Sequence, residues 1–181
     1  MLKCIWVLRM EKYLPDIYQE TIYDINYKSL KEHGIKCLLF DLDNTIAPYN
    51  EKVLKAEVKE LIYQLKQLGF KVIIYSNSPK MRVRQFGKQL NVDIYSGARK
   101  PSKKGFNRIL AKYKYTENEV AIIGDQICTD VLGGNRVGIT TILITPIGKD
   151  PFWTKINRIR EKSIMQKLRD NNLFKKGKYY E

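Results

Sequence analysis

Lys36-Cys-Leu-Leu-Phe-Asp41-Leu-Asp43-Asn-Thr45 holds an apolar run, Cys37 to Phe40, that ends on two carboxylates one residue apart and then a hydroxyl. A run this short and unbroken reads as a strand buried on both faces. Acidic groups at the carboxyl end of such a strand pack poorly and serve chemistry well. The bland alternative is an Asp-rich turn, and three later stretches argue against it.

Downstream, the pattern alternates. Leu54, Val58, Leu61, Ile62, Leu65 and Leu68 recur at helical spacing, so a helix is expected over Glu51 to Leu68, ended by Gly69. A second buried strand, Lys71 to Tyr75, leads into Ser76-Asn77-Ser78-Pro79. Pro79 suits the first turn of a helix that runs to Leu90, with Ser78 as its cap. A strand from Val92 to Tyr95 is followed by Lys100-Pro101 and a helix from Ser102 to Tyr113. The strand Val120 to Ile123 ends on Gly124-Asp125, a short helix covers Thr129 to Asn135, and the last strand is Thr140 to Ile144. Strands alternating with helices predict an α/β fold: a Rossmann-like three-layer sandwich around a mostly parallel five-stranded sheet.

Upstream of the opening stretch lie a loop and a short helix, Lys28 to His33, closed by Gly34. The tyrosines of this segment read as packing groups with a polar handle, or as a membrane-interface belt. From Lys149 the composition turns basic. Asp150 and Pro151 suit a helix start, and Trp153, Ile156, Ile159, Ile164 and Leu168 form a ragged apolar stripe among Lys and Arg. This helix either docks on the core or lies on an anionic surface. The expected organisation is an N-terminal extension over 1–35 packed on the core, a catalytic domain over 36–148, and a basic C-terminal helix and tail over 149–181, with Lys175, Lys176 and Lys178 in a disordered end.

The chain has 181 residues, 44% of them hydrophobic, with 33 basic and 19 acidic side chains and a formal charge of +14. That suits one domain with a real core and an acidic partner: anionic membrane, nucleic acid or a phosphorylated substrate. Cys4, Cys37 and Cys128 form neither a disulfide framework nor a metal spacing, which points to a reducing compartment. His33 alone cannot build a histidine-rich metal site. The apolar run in Met1 to Met10 is far shorter than the roughly 20 residues of a membrane span and lacks a cleavage site. A soluble or peripheral protein is expected.

Ligands of a parallel sheet sit beyond the carboxyl ends of its strands. Four strand ends carry polar signals there: Asp41, Asp43 and Thr45; Ser76 and Asn77; Lys100; Asp125 and Asp130. Clustered carboxylates resist ionising together, and a hard divalent cation with oxygen ligands, magnesium, removes that cost. A phosphate would face the metal, Lys100 and the serine hydroxyl. The chemistry so reached is phosphoryl transfer. The competing local roles are helix caps for Ser76 and Asp130 and a surface position for Lys100.

In order, spacing and strand context, Asp41-Leu-Asp43-Asn-Thr45, Ser76, Lys100 and Gly124-Asp125 with Asp130 resemble the four motifs of the haloacid dehalogenase (HAD) phosphatase superfamily. More narrowly, Leu14-Pro15-Asp16, Gly34-Ile35-Lys36, Asp43-Asn44-Thr45 and Gly124-Asp125-Gln126 with Thr129-Asp130 resemble the bacterial YqeG family, whose relatives include mitochondrial phosphatidylglycerophosphatase. The resemblance implies that Asp41 is the nucleophile and Asp43 the general acid and base. It implies metal ligation by Asp41, Asp125 and the Asp43 carbonyl, with Asp130 orienting metal-bound water or Lys100. Ser76 would bond the phosphoryl group and Lys100 would offset its charge. Thr45 and Asn77 fall in the same substrate-binding loops, and Arg99 lies outside the first ring of contacts.

Neither the Thr45–Ser76 nor the Ser76–Lys100 interval has room for an inserted cap domain. An uncapped site suits a phosphate on something large. The resemblance and the charge together favour phosphatidylglycerophosphate at the cytoplasmic face of a membrane. Nucleotides, nucleic acid ends and phosphoproteins are the rival substrates, and a catalytically idle basic binding module is the rival class.

Overall fold

A computed structural model of the chain describes residues 10–148 and 155–170, with side chains described from 159 onward in the second stretch. The expected start of the C-terminal helix at Asp150 and Pro151, Trp153, the run before Met10 and the lysines near the end lie outside the described residues, as does the side chain of Ile156.

Among the described residues the sheet has six strands: β1 (Ile17–Gln19), β2 (Cys37–Phe40), β3 (Lys71–Ser76), β4 (Asp93–Ser96), β5 (Val120–Gly124) and β6 (Thr140–Ile144). Their spatial order is β1-β6-β5-β2-β3-β4, and every pairing is parallel. The sequence reading expects five strands; the sixth, β1, lies in the segment before residue 36. Asp16 explains its register. Its carboxylate Oδ2 accepts from the Thr141 amide at 2.7 Å and from the Thr141 hydroxyl at 2.9 Å, and its own amide donates to the Thr141 carbonyl at 3.0 Å.

The helices are α1 (Tyr27–Glu32), α2 (Ala56–Gln67), α3 (Lys80–Leu90), α4 (Lys103–Tyr113), α5 (Leu132–Val137) and α6 (Lys155–Asp170). Strand alternation sends Leu38 and Phe40 to one face of the sheet and Cys37 and Leu39 to the other. The first face packs on Leu30, Val58, Ile62, Leu65, Val83 and Phe86 of α1, α2 and α3. The second packs on Phe106 and Ile109 of α4 and on Ile139 after α5. Each fully buried aliphatic or aromatic side chain contributes about 1.5–3 kcal/mol, so both faces are fastened and the strand ends cannot drift. No domain interrupts β2 to β3 or β3 to β4.

Asn26 caps α1, accepting from the Ser29 amide, and Ser102 caps α4, accepting from Lys104. The expected helix from Glu51 begins only at Ala56, because 48–55 is drawn into the site loop described below. Tyr13, Tyr18 and Tyr27 are buried, and the Tyr27 hydroxyl donates to the Ile22 carbonyl at 2.8 Å. Tyr23 is half exposed. Helix α6 docks through Ile164 and Leu168 against Met10, Tyr13, Val131 and Leu143, with Ile159 on its exposed back. No described helix is long and apolar enough to cross a membrane.

Candidate active site

Asp41 follows the last residue of β2, Ser76 ends β3, and Asp125 follows the last residue of β5. The strand order sets β2 between β3 and β5, so these three positions become neighbours at one edge of the sheet. Lys100 reaches in from the loop after β4. Its Nζ donates to Asp41 Oδ1 at 2.6 Å, to Asp130 Oδ1 at 2.6 Å and to the Tyr75 carbonyl at 3.1 Å. All of these side chains are buried. The alternative of a surface lysine is therefore excluded for Lys100.

Asp41, Asp125 and Asp130 each offer a carboxylate oxygen within 4.8 Å of the others. One ammonium faces three carboxylates. Burial disfavours the charged form of Asp130 and pushes its carboxyl up to about 6; the Lys100 ammonium opposes that shift and Asp41 adds to it. Burial also works against charge on Lys100, but the Asp130 and Asp41 carboxylates outweigh it and raise Lys100 above the ordinary lysine value. Three buried carboxylates gathered this closely are a donor set that fits a hard divalent cation. Cysteine chemistry does not compete here. Cys37 is sealed in the core, where burial drives its thiol up to about 12.

Asp130 sits on a π-helical turn, Ile127–Val131, a distortion often found at functional sites. Its Oδ2 accepts from the Gln126 amide at 3.2 Å and the Thr129 hydroxyl at 3.3 Å. Gly124 lies directly beneath it: a Cβ there would collide with the Asp130 carboxyl group. From behind, buried Glu161 of α6 accepts from the Cys128 amide at 2.9 Å. The C-terminal helix thus braces the turn that carries Asp130.

Asp43 is half-buried and faces outward from the trio. Its Oδ1 accepts from Arg82 Nε at 2.7 Å, with Nη2 of the same residue also at 2.7 Å, and its Oδ2 accepts from the Ser78 hydroxyl. Arg82 further donates to the carbonyls of Glu51, at 2.7 Å, and Pro48, at 3.1 Å. One guanidinium thus ties α3 to the loop that follows Asp43.

Three expectations change in detail. Ser78 is not the cap of α3; Pro79 occupies that position and no side chain caps the helix, because the Ser78 hydroxyl is drawn to Asp43. The Thr45 hydroxyl donates to Asp125 Oδ1 at 3.3 Å and is fully buried, so it orients a carboxylate. The Asn77 side chain is taken by the backbone of Lys100, accepting from its amide at 2.7 Å and donating to its carbonyl at 3.2 Å. Ser76 is buried with its Oγ accepting from the Ser78 amide at 3.2 Å. Arg99 is exposed.

Arg82 and Glu161 are absent from the residues chosen by motif. Arg82 does carry a signal: α3 opens with Lys80 and Arg82 and has no acid in its first turn. That is unfavourable at a helix N-terminus unless a carboxylate stands opposite. Glu161 gives none, since a glutamate in a basic helix reads as surface.

The chain is 37% identical over 158 residues to the Bacillus subtilis protein named "Probable phosphatase YqeG", covering 87% of this chain and 92% of that one. It is 28% identical over 158 residues to the chloroplastic phosphatidylglycerophosphate phosphatase 1 of Chlamydomonas reinhardtii, covering 80% of this chain and 58% of that longer protein. Among solved structures, the cobalt-bound deoxy-D-mannose-octulosonate 8-phosphate phosphatase YrbI of Haemophilus influenzae shares the fold, with a TM-score of 0.51 and 17% identity over 75% of this chain and 90% of that one. The family model described as mitochondrial PGP phosphatase matches residues 3–148, and with the motif-bearing strand ends gathered at one edge, the chain belongs to that family of HAD-type phosphatases.

Proposed function

We propose that the chain is a magnesium-dependent phosphomonoesterase that works through an aspartyl-phosphate on Asp41 and converts phosphatidylglycerophosphate to phosphatidylglycerol. The observation that carries the reading is the buried Lys100 bridge between Asp41 and Asp130, with Asp125 alongside. Residues 36–148 carry the chemistry, flanked by 1–35 and 149–181.

Asp41 attacks phosphorus and the ester P–O bond breaks; the departing alkoxide takes a proton from Asp43. Water then attacks the phosphoaspartate while Asp43 accepts its proton, and inorganic phosphate leaves. Lys100 fixes the Asp41 carboxylate before attack and offsets phosphoryl charge during it. Ser76 and backbone amides near Leu42, Asp43 and Asn77 bond the phosphoryl oxygens. Asp41, Asp125 and the Asp43 carbonyl would hold the magnesium ion, with Asp130 behind them. When bound, the ion neutralises charge on the transferring group. Arg82 and Ser78 hold the Asp43 carboxylate at the edge of the site.

The lipid substrate rests on family membership, the absence of a cap between β2 and β4, and the charge of +14. A peripheral site of action at the cytoplasmic face of an anionic membrane follows from the same points. The test is phosphate release from phosphatidylglycerophosphate and from soluble phosphate esters, each with magnesium and with chelator. The expected result is magnesium-dependent release from the lipid, abolished by Asp41→Asn. Turnover of nucleotides, RNA ends or phosphoproteins with the lipid untouched would overturn the substrate. Release that survives Asp41→Asn would overturn the covalent mechanism.

A further inference from the structure

The loop that carries Asp43 has a second face. On one side Asp43 meets Arg82 and Ser78. On the other, Thr45 to Pro48 wall a cavity of about 330 Å³, at the small end of ligand-sized pockets. Its interior is aliphatic: Ile22, Ile46, Ala47, Leu54 and Val58. Its other walls follow the carboxyl ends of β1 and β6, so it opens at the same edge of the sheet as Asp41.

The exposed large hydrophobics point to the same place. Seven occur among the described residues, and three line this one cavity: Val53 is 65% exposed, Tyr23 50% and Ile147 44%. Singly they would mean nothing; gathered around an apolar hollow beside a catalytic loop they mark a ligand site. Hydrogen bonds also join the loop to the cavity wall. The Ile147 amide donates to the Asn44 carbonyl at 3.0 Å, and Asn44 donates to Ala47 at 2.7 Å.

The charge around it is mixed, with a basic cluster on one flank. Lys52, Arg84 and Lys88 are exposed and share a shallow depression with Met81, which is 86% exposed. Lys55 and Glu51 line the cavity itself, Glu57 acts electrostatically on Tyr23 in its wall, and Asp24 accepts from the Thr21 hydroxyl at 2.7 Å. Basic groups around exposed apolar side chains fit the surface of an anionic lipid layer, with hydrocarbon going to the hollow and headgroup phosphates to the cations.

We infer that this cavity is an acyl-chain site: it takes part of one fatty chain of an anionic glycerophospholipid while the headgroup phosphate lies at Asp41. The inference rests on the lipid reading above and gives it a specificity determinant. The uncapped site then excludes water with the substrate's own hydrocarbon in place of a protein lid.

The test compares dioctanoyl phosphatidylglycerophosphate with its deacylated headgroup, using wild type and Val53→Glu. Val53 is exposed, so the variant folds, and matching thermal melts verify that. The ratio of kcat/KM, dioctanoyl to deacylated, is expected to fall about tenfold in the variant, the loss that corresponds to one buried aliphatic contact. An unchanged ratio overturns the acyl site while leaving the phosphatase reading intact. A second arm needs no turnover: calorimetric binding of monomeric dioctanoyl phosphatidylglycerol to Asp41→Asn protein with and without Val53→Glu. Binding weakened about tenfold supports the site even if the lipid phosphate is never released, an outcome that would sink the substrate reading alone. No binding, or equal binding by both proteins, overturns the site.

Discussion

Arg82 donates through Nε to the carboxylate of Asp43 at 2.7 Å, across 39 positions of sequence. The same guanidinium lies 4.9 Å from the Phe86 ring and 5.5 Å from that of Tyr49. It is packed near two rings while its nitrogens hold Asp43 and two carbonyls. Arg82→Ala is expected to lower kcat on a soluble ester by about 10–100-fold with little change in KM, because the proposed acid–base group is no longer held in place. Arg82→Lys is expected to recover only part, since one ammonium cannot span three acceptors in a plane. A rise in KM at constant kcat would show that Arg82 binds substrate and does not position Asp43.

Gly124 has no room for a methyl group against Asp130. Gly124→Ala must displace the Asp130 carboxylate from Lys100 or shift β5. The expected outcome is a fall in kcat of at least about 100-fold with about 1–3 kcal/mol lost in denaturant unfolding. Wild-type activity in this variant would mean that the Asp130–Lys100 contact is dispensable.

Removal of magnesium should stop turnover, and its effect on stability should depend on pH. The Asp130 carboxyl rises to about 6 from an ordinary value of 3.8. Between these values the folded protein binds a proton that the unfolded chain does not. The contribution of Asp130 to metal-free stability therefore falls as pH rises through that window. Thermal melts with chelator should show Asp130→Asn gaining on wild type from pH 4 to pH 6, then holding level. With saturating magnesium the order should reverse, because the ion favours the ionised carboxylate. Parallel curves for the two proteins at all pH values would contradict the burial effect.

Glu161 reaches the Cys128 amide from outside the catalytic layers. Glu161→Ala leaves that buried N–H without this acceptor, at a cost of about 1–3 kcal/mol. The turn bearing Asp130 should loosen, weakening magnesium affinity several-fold as a support of metal ligands is lost. Titration of magnesium against activity checks this; an unchanged midpoint would make Glu161 a stability residue only.

Much of the fold was legible because the burial of each strand is written in its own residues. Cys37 to Phe40, Lys71 to Tyr75 and Val120 to Ile123 needed no context. Strand β1 was not legible: Ile17–Gln19 is three residues long, and its place on the edge depends on Asp16 meeting Thr141. Ser78 misled for a related reason. A serine before a proline at a helix start is a good cap by local rules, yet a carboxylate delivered from another strand took its hydroxyl.

The sequence by itself determined which groups stand at the strand tips, since strand length and side-chain alternation are local properties. It also determined that no cap domain intervenes, because the intervals are too short. Only the tertiary structure decided who pairs with whom: Lys100 with Asp41 and Asp130, Thr45 with Asp125, Arg82 with Asp43, Glu161 with the Cys128 amide. Each of these contacts joins residues 30 or more positions apart. Their geometry is set by strand order and helix packing, and a hydrogen bond forms only where those bring donor and acceptor to about 3 Å.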